Sequence, residues 1–396
     1  MKKTENTLLA LVRDSIAGTF SPEGEAAVKA LSHGELEELV ELAGLHHLTA
    51  LVGREIYTLR PDWPQAGFLR KSTLMTGAES ARRASELAEL TRALEDEGIP
   101  YAVVKGAVLR DLYPDPDLRI STDEDLLAAD LAPEKVLRER GFRQAEGERG
   151  STHTWTGRSL RVELHTDLLE GWDFPGVDPG VFSGALADRR RTETAWGPLF
   201  AMDPQTHFLY LVLHFYKHFL TGGIGLRQVC DLVLFAQRRA GELNWPEIWD
   251  FLEKARLDVL VWNLLDIGRT RLGVEVPAPG RTLPPPDSED LLLDILAAGA
   301  YGSSTVERKR SSRITMAAAR SGSAGRASAL RALFPDRQAM AGRYPYVEKR
   351  PWLLPAAWCG RLWGYVRSGG ASGASRSAEL GRSRTALLKK YGILED

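Results

Sequence analysis

Three carboxylates in one stretch of chain set the chemistry. Asp123 and Asp125 stand two apart in Thr122-Asp-Glu-Asp-Leu-Leu127. In a strand over Thr122 to Leu127, alternate side chains take opposite faces, so the two aspartates share one face and Glu124 points to the other. Their Cβ atoms would lie roughly 7 Å apart, close enough to reach one hard cation or to bridge a pair. Glu163, in Leu160-Arg-Val-Glu-Leu-His165, is a third carboxylate where the alternation repeats, and His165 falls on its face. Upstream, the apolar run Tyr101-Ala-Val-Val104 ends in Lys105-Gly106, a pattern that reads as a buried strand entering a glycine turn. A glycine turn, an Asp-x-Asp strand and a later strand carboxylate are the parts of a metal-dependent nucleotidyl-transfer site. Asp-x-Asp alone is common and serves equally well to cap a following turn; the combination carries the weight.

Each neighbouring residue has a role in that chemistry and a bland alternative. A nucleoside triphosphate (ATP is the simplest case) arrives with Mg²⁺, or Mn²⁺, on its phosphates, and the ion takes a few carboxylates plus phosphate oxygens and water. Asp123 and Asp125 would serve two ions and Glu163 the nucleophile-side one, with a general-base role open to it. Gly106 allows close backbone approach to phosphate, and the N–H groups of Ala107 and Val108 open a short helix; an ordinary tight turn is the alternative. Lys105 closes an apolar run and is either a phosphate ligand or a side chain snorkelling to solvent. Arg119 clamps a phosphate bidentately or pairs with Asp115 or Asp117. His165 lines the site or is structural. His214 and His218 have the i, i+4 spacing of a zinc pair, but no glutamate follows His214 and no third ligand is evident. With Lys217 they either face the cleft, on nucleotide phosphate or base, or pack within a buried helix.

These pieces resemble the nucleotidyltransferases related to DNA polymerase β, and more narrowly a family of uncharacterised nucleotidyltransferases. The resemblance rests on Val104-Lys-Gly-Ala107, Leu112-Tyr-Pro114, Arg119, Asp123-Glu-Asp-Leu-Leu127 and Val162-Glu-Leu-His165. Leu213-His-Phe-Tyr-Lys-His218, Leu333-Phe-Pro335 and Pro351-Trp-Leu-Leu-Pro355 are similar to later parts of that family. It implies transfer of a nucleoside monophosphate from an NTP to a hydroxyl or phosphate acceptor, small molecule, peptide or protein. Two positions depart from the pattern. Ala107 replaces a small polar residue, and Glu124 replaces an apolar one.

Composition bounds the rest. A chain of 396 residues exceeds one ordinary core, and 43% hydrophobic with 26% charged residues is typical of a globular protein. A net charge of −2 gives no basic signal for nucleic acid or membrane. Cys230 and Cys359, far apart in sequence, suggest neither a disulfide framework nor a thiolate metal site, which suits the cytoplasm. No run approaches the roughly 20 apolar residues of a membrane span.

The expected fold is α+β, a small mixed-sheet core at 99–190 between an N-terminal helical region, 1–98, and a larger C-terminal one, 191–396. Within the last, 276–286 holds five prolines and reads as a linker. Ser32-His-Gly-Glu35 reads as a capping box, and Asp203-Pro204 as a helix start. Arg308 to Arg331 carries seven basic residues, which read as a solvated helix face, and the Gly- and Ser-rich segment 369–377 reads as mobile. Two rival functions share the pocket: phosphoryl transfer as in a kinase, which needs the same metals and cations, and an inactive adaptor that binds nucleotide or peptide.

Overall fold

Helices open the chain because the local signals for them are complete. The computed structural model describes residues 1–146, 150–300, 344–367 and 370–394, with scattered positions between 308 and 340. Five helices come first: α1 (Lys3–Ala17), α2 (Pro22–Lys29), α3 (His33–Leu45), α4 (Thr49–Leu59) and α5 (Ala66–Asp96). The capping box forms as expected, with the Ser32 N–H donating to Glu35 at 2.7 Å and the Glu35 N–H to Ser32 Oγ at 3.3 Å. α5 ends at Gly98, whose φ of 66° turns the chain while the Ile99 N–H closes onto the Leu94 carbonyl at 2.8 Å.

The chain then alternates through β1 (Tyr101–Val103), α6 (Ala107–Arg110), β2 (Glu124–Ala128), α7 (Pro133–Glu139), β3 (Arg143–Gln144), β4 (Thr152–Thr156) and β5 (Arg161–His165). β6 (Arg190–Thr192) and β7 (Leu199–Ala201) complete a seven-stranded mixed sheet in the order β3-β4-β5-β2-β1-β7-β6. β2 lies antiparallel to β1 and parallel to β5. Helices follow again: α8 (Pro204–Thr221), α9 (Leu226–Arg238), α10 (Trp245–Lys254), α11 (Asp258–Arg271) and α12 (Glu289–Ala298). Asp203 caps α8 by accepting from the N–H groups of Gln205 and Thr206 at 3.1 and 3.4 Å, and Pro204 takes the first helical position. Three more helices close the described chain, α13 (Tyr346–Lys349), α14 (Leu354–Arg367) and α15 (Gly370–Lys390).

Pleating sorts the sheet into two faces, each with its own core. Tyr101, Val103, Leu126, Ala128, Val162 and Leu164 pack with Leu87, Leu90 and Leu94 of α5 and with Val136 and Leu137 of α7. Ala102, Val104 and Leu127 belong to a larger core with α8, α9, α11 and α12, which also takes in Leu8, Leu11 and Val12 of α1. The two helical regions that the sequence separates therefore share one apolar interior. α5 also fixes the sheet, since buried Glu86 accepts the N–H groups of Arg158, Ser159 and Leu160 at the β4–β5 turn.

The Gly- and Ser-rich segment lies, from Gly370, at the start of α15. Most of the basic run lies outside the described residues; Arg308, at its start, is buried and pairs with Asp294 at 2.5 Å. No helix among the described residues is long and apolar enough to cross a membrane.

Candidate active site

Strand register brings the acids together. In the parallel β2–β5 ladder Asp125 lies opposite Glu163, and Leu127 opposite His165. Partners across a ladder share a face, as do residues two apart, so Asp125, Glu163 and His165 project together toward α8. A donor atom from each lies within 4.8 Å of the others. Asp123 sits one residue before β2, half-buried, outside this tightest group. Its charge still reaches Glu163, whose pKa is raised by burial and by the neighbouring Asp123 and Asp125 carboxylates.

Asp125 is 2% exposed. Burial alone would raise its pKa, but Lys105 and His165 outweigh burial and hold it below the usual carboxylate range. Its Oδ1 is 2.7 Å from Lys105 Nζ and 3.0 Å from His165 Nε2. Lys105 also lies 3.3 Å from His214 Nε2, which is 3.0 Å from His218 Nε2. Burial, then the Lys105 charge, depresses both imidazoles, His218 to about 3. The pair is therefore neutral, one ring donating to the other. Lys217, on the same face of α8, pairs with Glu170, whose Oε1 is 3.5 Å from His165 Nδ1. Glu170 holds a left-handed φ of 51°, a strained setting for a side-chain-bearing residue beside the cluster. Beyond it opens a cavity of about 430 Å³ lined by Glu170, Trp172, Phe174 and Tyr216, among others.

Glu124 accounts for the glycine turn. As alternation requires, it points away from Asp125, and it is 1% exposed beneath Gly106. Its Oε2 accepts the Ala107 N–H at 2.7 Å and its Oε1 pairs with Arg110 at 3.2 Å. Burial raises the pKa of Glu124 and Arg110 partly offsets it. Gly106 has φ 48°, and a Cβ there would overlap the Glu124 carboxylate. Of the two N–H groups read from sequence as phosphate donors, that of Ala107 is taken by Glu124 and that of Val108 by the Lys105 carbonyl, and α6 is a single turn. Gly106→Ala is expected to lower stability by about 1–3 kcal/mol in a denaturant titration, from positive-φ strain with the clash added.

Arg119 pairs with neither Asp115 nor Asp117. It is 4% exposed and grips Asp231 of α9 bidentately, Nε and Nη2 lying 2.8 and 2.7 Å from the carboxylate oxygens. The Tyr113 hydroxyl donates to the same carboxylate at 2.8 Å. The pair is 112 residues apart, and no local spacing signals it. His207 was equally silent in the sequence; its Nε2 meets the Val104 carbonyl and ties α8 to the end of β1.

Residues 32–273 match the model of a family described as uncharacterised nucleotidyltransferase. The chain belongs to that family. The matched span covers the whole sheet, the acidic cluster and α8 to α11. No curated protein and no solved structure matches the chain. Membership marks it as a transferase of the nucleotidyl class, for which an NTP is the expected donor.

The donor set fits a divalent cation. Two carboxylates and an imidazole converge, a third carboxylate adds charge, and the mutual repulsion felt at Glu163 is what a dication would relieve. Oxygen donors suit Mg²⁺, and an imidazole among them favours Mn²⁺ more than an all-oxygen set would. A proton-linked effect follows for the metal-free protein. Glu163 faces Asp123, Asp125, Lys105, His165 and Arg161. Its folded pKa lies above the ordinary 4.5, so its contribution is most favourable below that value and is lost as pH rises through the raised one. Glu163→Gln is expected to raise the melting temperature at neutral pH, and the gain should vanish in acid; calorimetry across pH checks it.

Proposed function

We propose that this chain transfers a nucleotidyl group from an NTP, ATP in the simplest case, to a hydroxyl or phosphate of a small-molecule or peptide acceptor. The observation that carries the reading is the Asp125–Glu163 pairing across β2 and β5, with Asp123 close enough to shift Glu163. Asp123, Asp125 and Glu163 would hold Mg²⁺ or Mn²⁺. A divalent ion at such a site neutralises phosphate charge and lowers the pKa of the attacking hydroxyl.

The chain's own groups do the rest. Glu163 would take the acceptor proton as the acceptor oxygen bonds to the α-phosphorus and the bond to the leaving pyrophosphate breaks. His165 holds Asp125 in place through Nε2 and meets Glu170 through Nδ1, linking the cluster to the 430 Å³ cavity. That cavity is the size of a small-molecule site, and we place the acceptor there. Free Cys230 and Cys359 are consistent with a reducing, cytoplasmic setting. The test is mass spectrometry of acceptors incubated with ATP, Mg²⁺ and purified protein. An added nucleotide supports the reading, an added phosphate replaces it with phosphoryl transfer, and tight nucleotide binding without turnover replaces it with an adaptor.

A further inference from the structure

With the Ala107 N–H engaged by Glu124 and the Val108 N–H by the Lys105 carbonyl, the glycine turn offers a polyphosphate neither of these donors. A cavity of about 50 Å³ lies against Gly106, Asp123 and Asp125, and its far wall is α9, through Arg227, Gln228 and Asp231. Arg119 lines it too. Among the buried donors lining it, Arg119 Nη1 and Gln228 Nε2 have no hydrogen-bond partner among the described residues. A buried guanidinium nitrogen without an acceptor is costly unless something anionic or water supplies one. Asp231 does not, because it grips the Nε–Nη2 side of the planar guanidinium and Nη1 lies on the other side. Arg227 is 4% exposed on the same wall, its Nη1 3.8 Å from Asp231.

We infer that Arg119, Arg227 and Gln228 form a phosphate subsite that holds the terminal phosphate of the NTP while the sheet carboxylates face the reacting end. This rests on the nucleotidyl-transfer reading for the identity of the ligand, but not for the presence of an oxyanion site. Chemistry favours the assignment. Arginine presents its nitrogens in a planar fork matched to phosphate oxygens, and the cavity has room for roughly one phosphoryl group or a few waters. Three cations (Lys105, Arg119, Arg227) and three carboxylates (Asp123, Asp125, Asp231) line it, so a metal-complexed polyphosphate meets both signs of charge.

Gln228→Glu is the sharpest probe. Gln228 Oε1 accepts the Gly225 N–H at 2.5 Å, which a glutamate preserves while replacing the orphan amide nitrogen with negative charge. The experiment is calorimetric titration of inorganic tripolyphosphate in EDTA, so that no metal bridges the probe to the carboxylates. Wild type should bind, and Gln228→Glu and Arg227→Gln should each bind at least tenfold more weakly with unchanged circular dichroism. Arg227→Lys, which keeps the charge, should recover part of the loss. Failure of wild type to bind, or equal binding by both variants, overturns the subsite. Asp125→Asn separates the two ideas: it should bind tripolyphosphate at least as well as wild type, and if it also retains turnover, the catalytic assignment falls while the subsite stands.

Discussion

Asp125→Asn is expected to lower nucleotide turnover at least about a thousandfold, as loss of a central charge-stabilising group does in a preorganised site. The residue is the hub of the cluster, meeting Lys105 and His165 through one oxygen and Glu163 across the ladder. Asparagine keeps the shape and a carbonyl acceptor but not the charge. Lys105 retains 18% side-chain exposure, so water compensates for part of its lost pairing and the fold should survive. Pyrophosphate release at saturating ATP and Mg²⁺ gives the rate, and a melting curve of the same sample shows that lost activity is not lost structure. Wild-type turnover in this variant would remove Asp125 from the chemistry.

The second large effect is on stability. Asp231→Ala is expected to cost about 3–5 kcal/mol, because it leaves the Arg119 guanidinium charged and unpaired in the interior. Side-chain exposure is 3% for Arg119 and 7% for Asp231, so solvent offers little relief. Tyr113 also loses its acceptor. Arg119→Met combined with Asp231→Leu should be less destabilised than Asp231→Ala alone, since removing both charges removes the desolvation cost with the attraction. Chemical denaturation of the set measures it, and a double variant as weak as the single would contradict the buried-charge account.

What could be read in advance divides along physical lines. The Asp125–Glu163–His165 face follows from period-two alternation, a property of each strand by itself, and only their adjacency needed the fold. Helix ends with side-chain caps, at Ser32 and Asp203, were equally local. Glu124 was legible only as a misfit: alternation turned it away from the aspartates, but its contact with Ala107 depends on the tertiary path. The Arg119–Asp231 grip was invisible, because nothing in a loop arginine encodes a partner 112 residues later. β3, β6 and β7 are two or three residues long, too short for periodicity to register; β1 is as short, but the Lys105-Gly106 turn after it marks it. Expected roles for Lys105, Arg119, His214, Lys217 and His218 meet a denser network, in which each already has a partner within the protein.

The shared interior of the two helical regions bears on how small this enzyme can be made. Leu8, Leu11 and Val12 are fully buried against residues from far later in the chain, although α1 precedes the span that matches the family. An excised fragment beginning at residue 32 would therefore bare the flank against which α1 rests. Expression trials on such truncations should yield insoluble material, whereas fragments that retain α1 keep that flank covered.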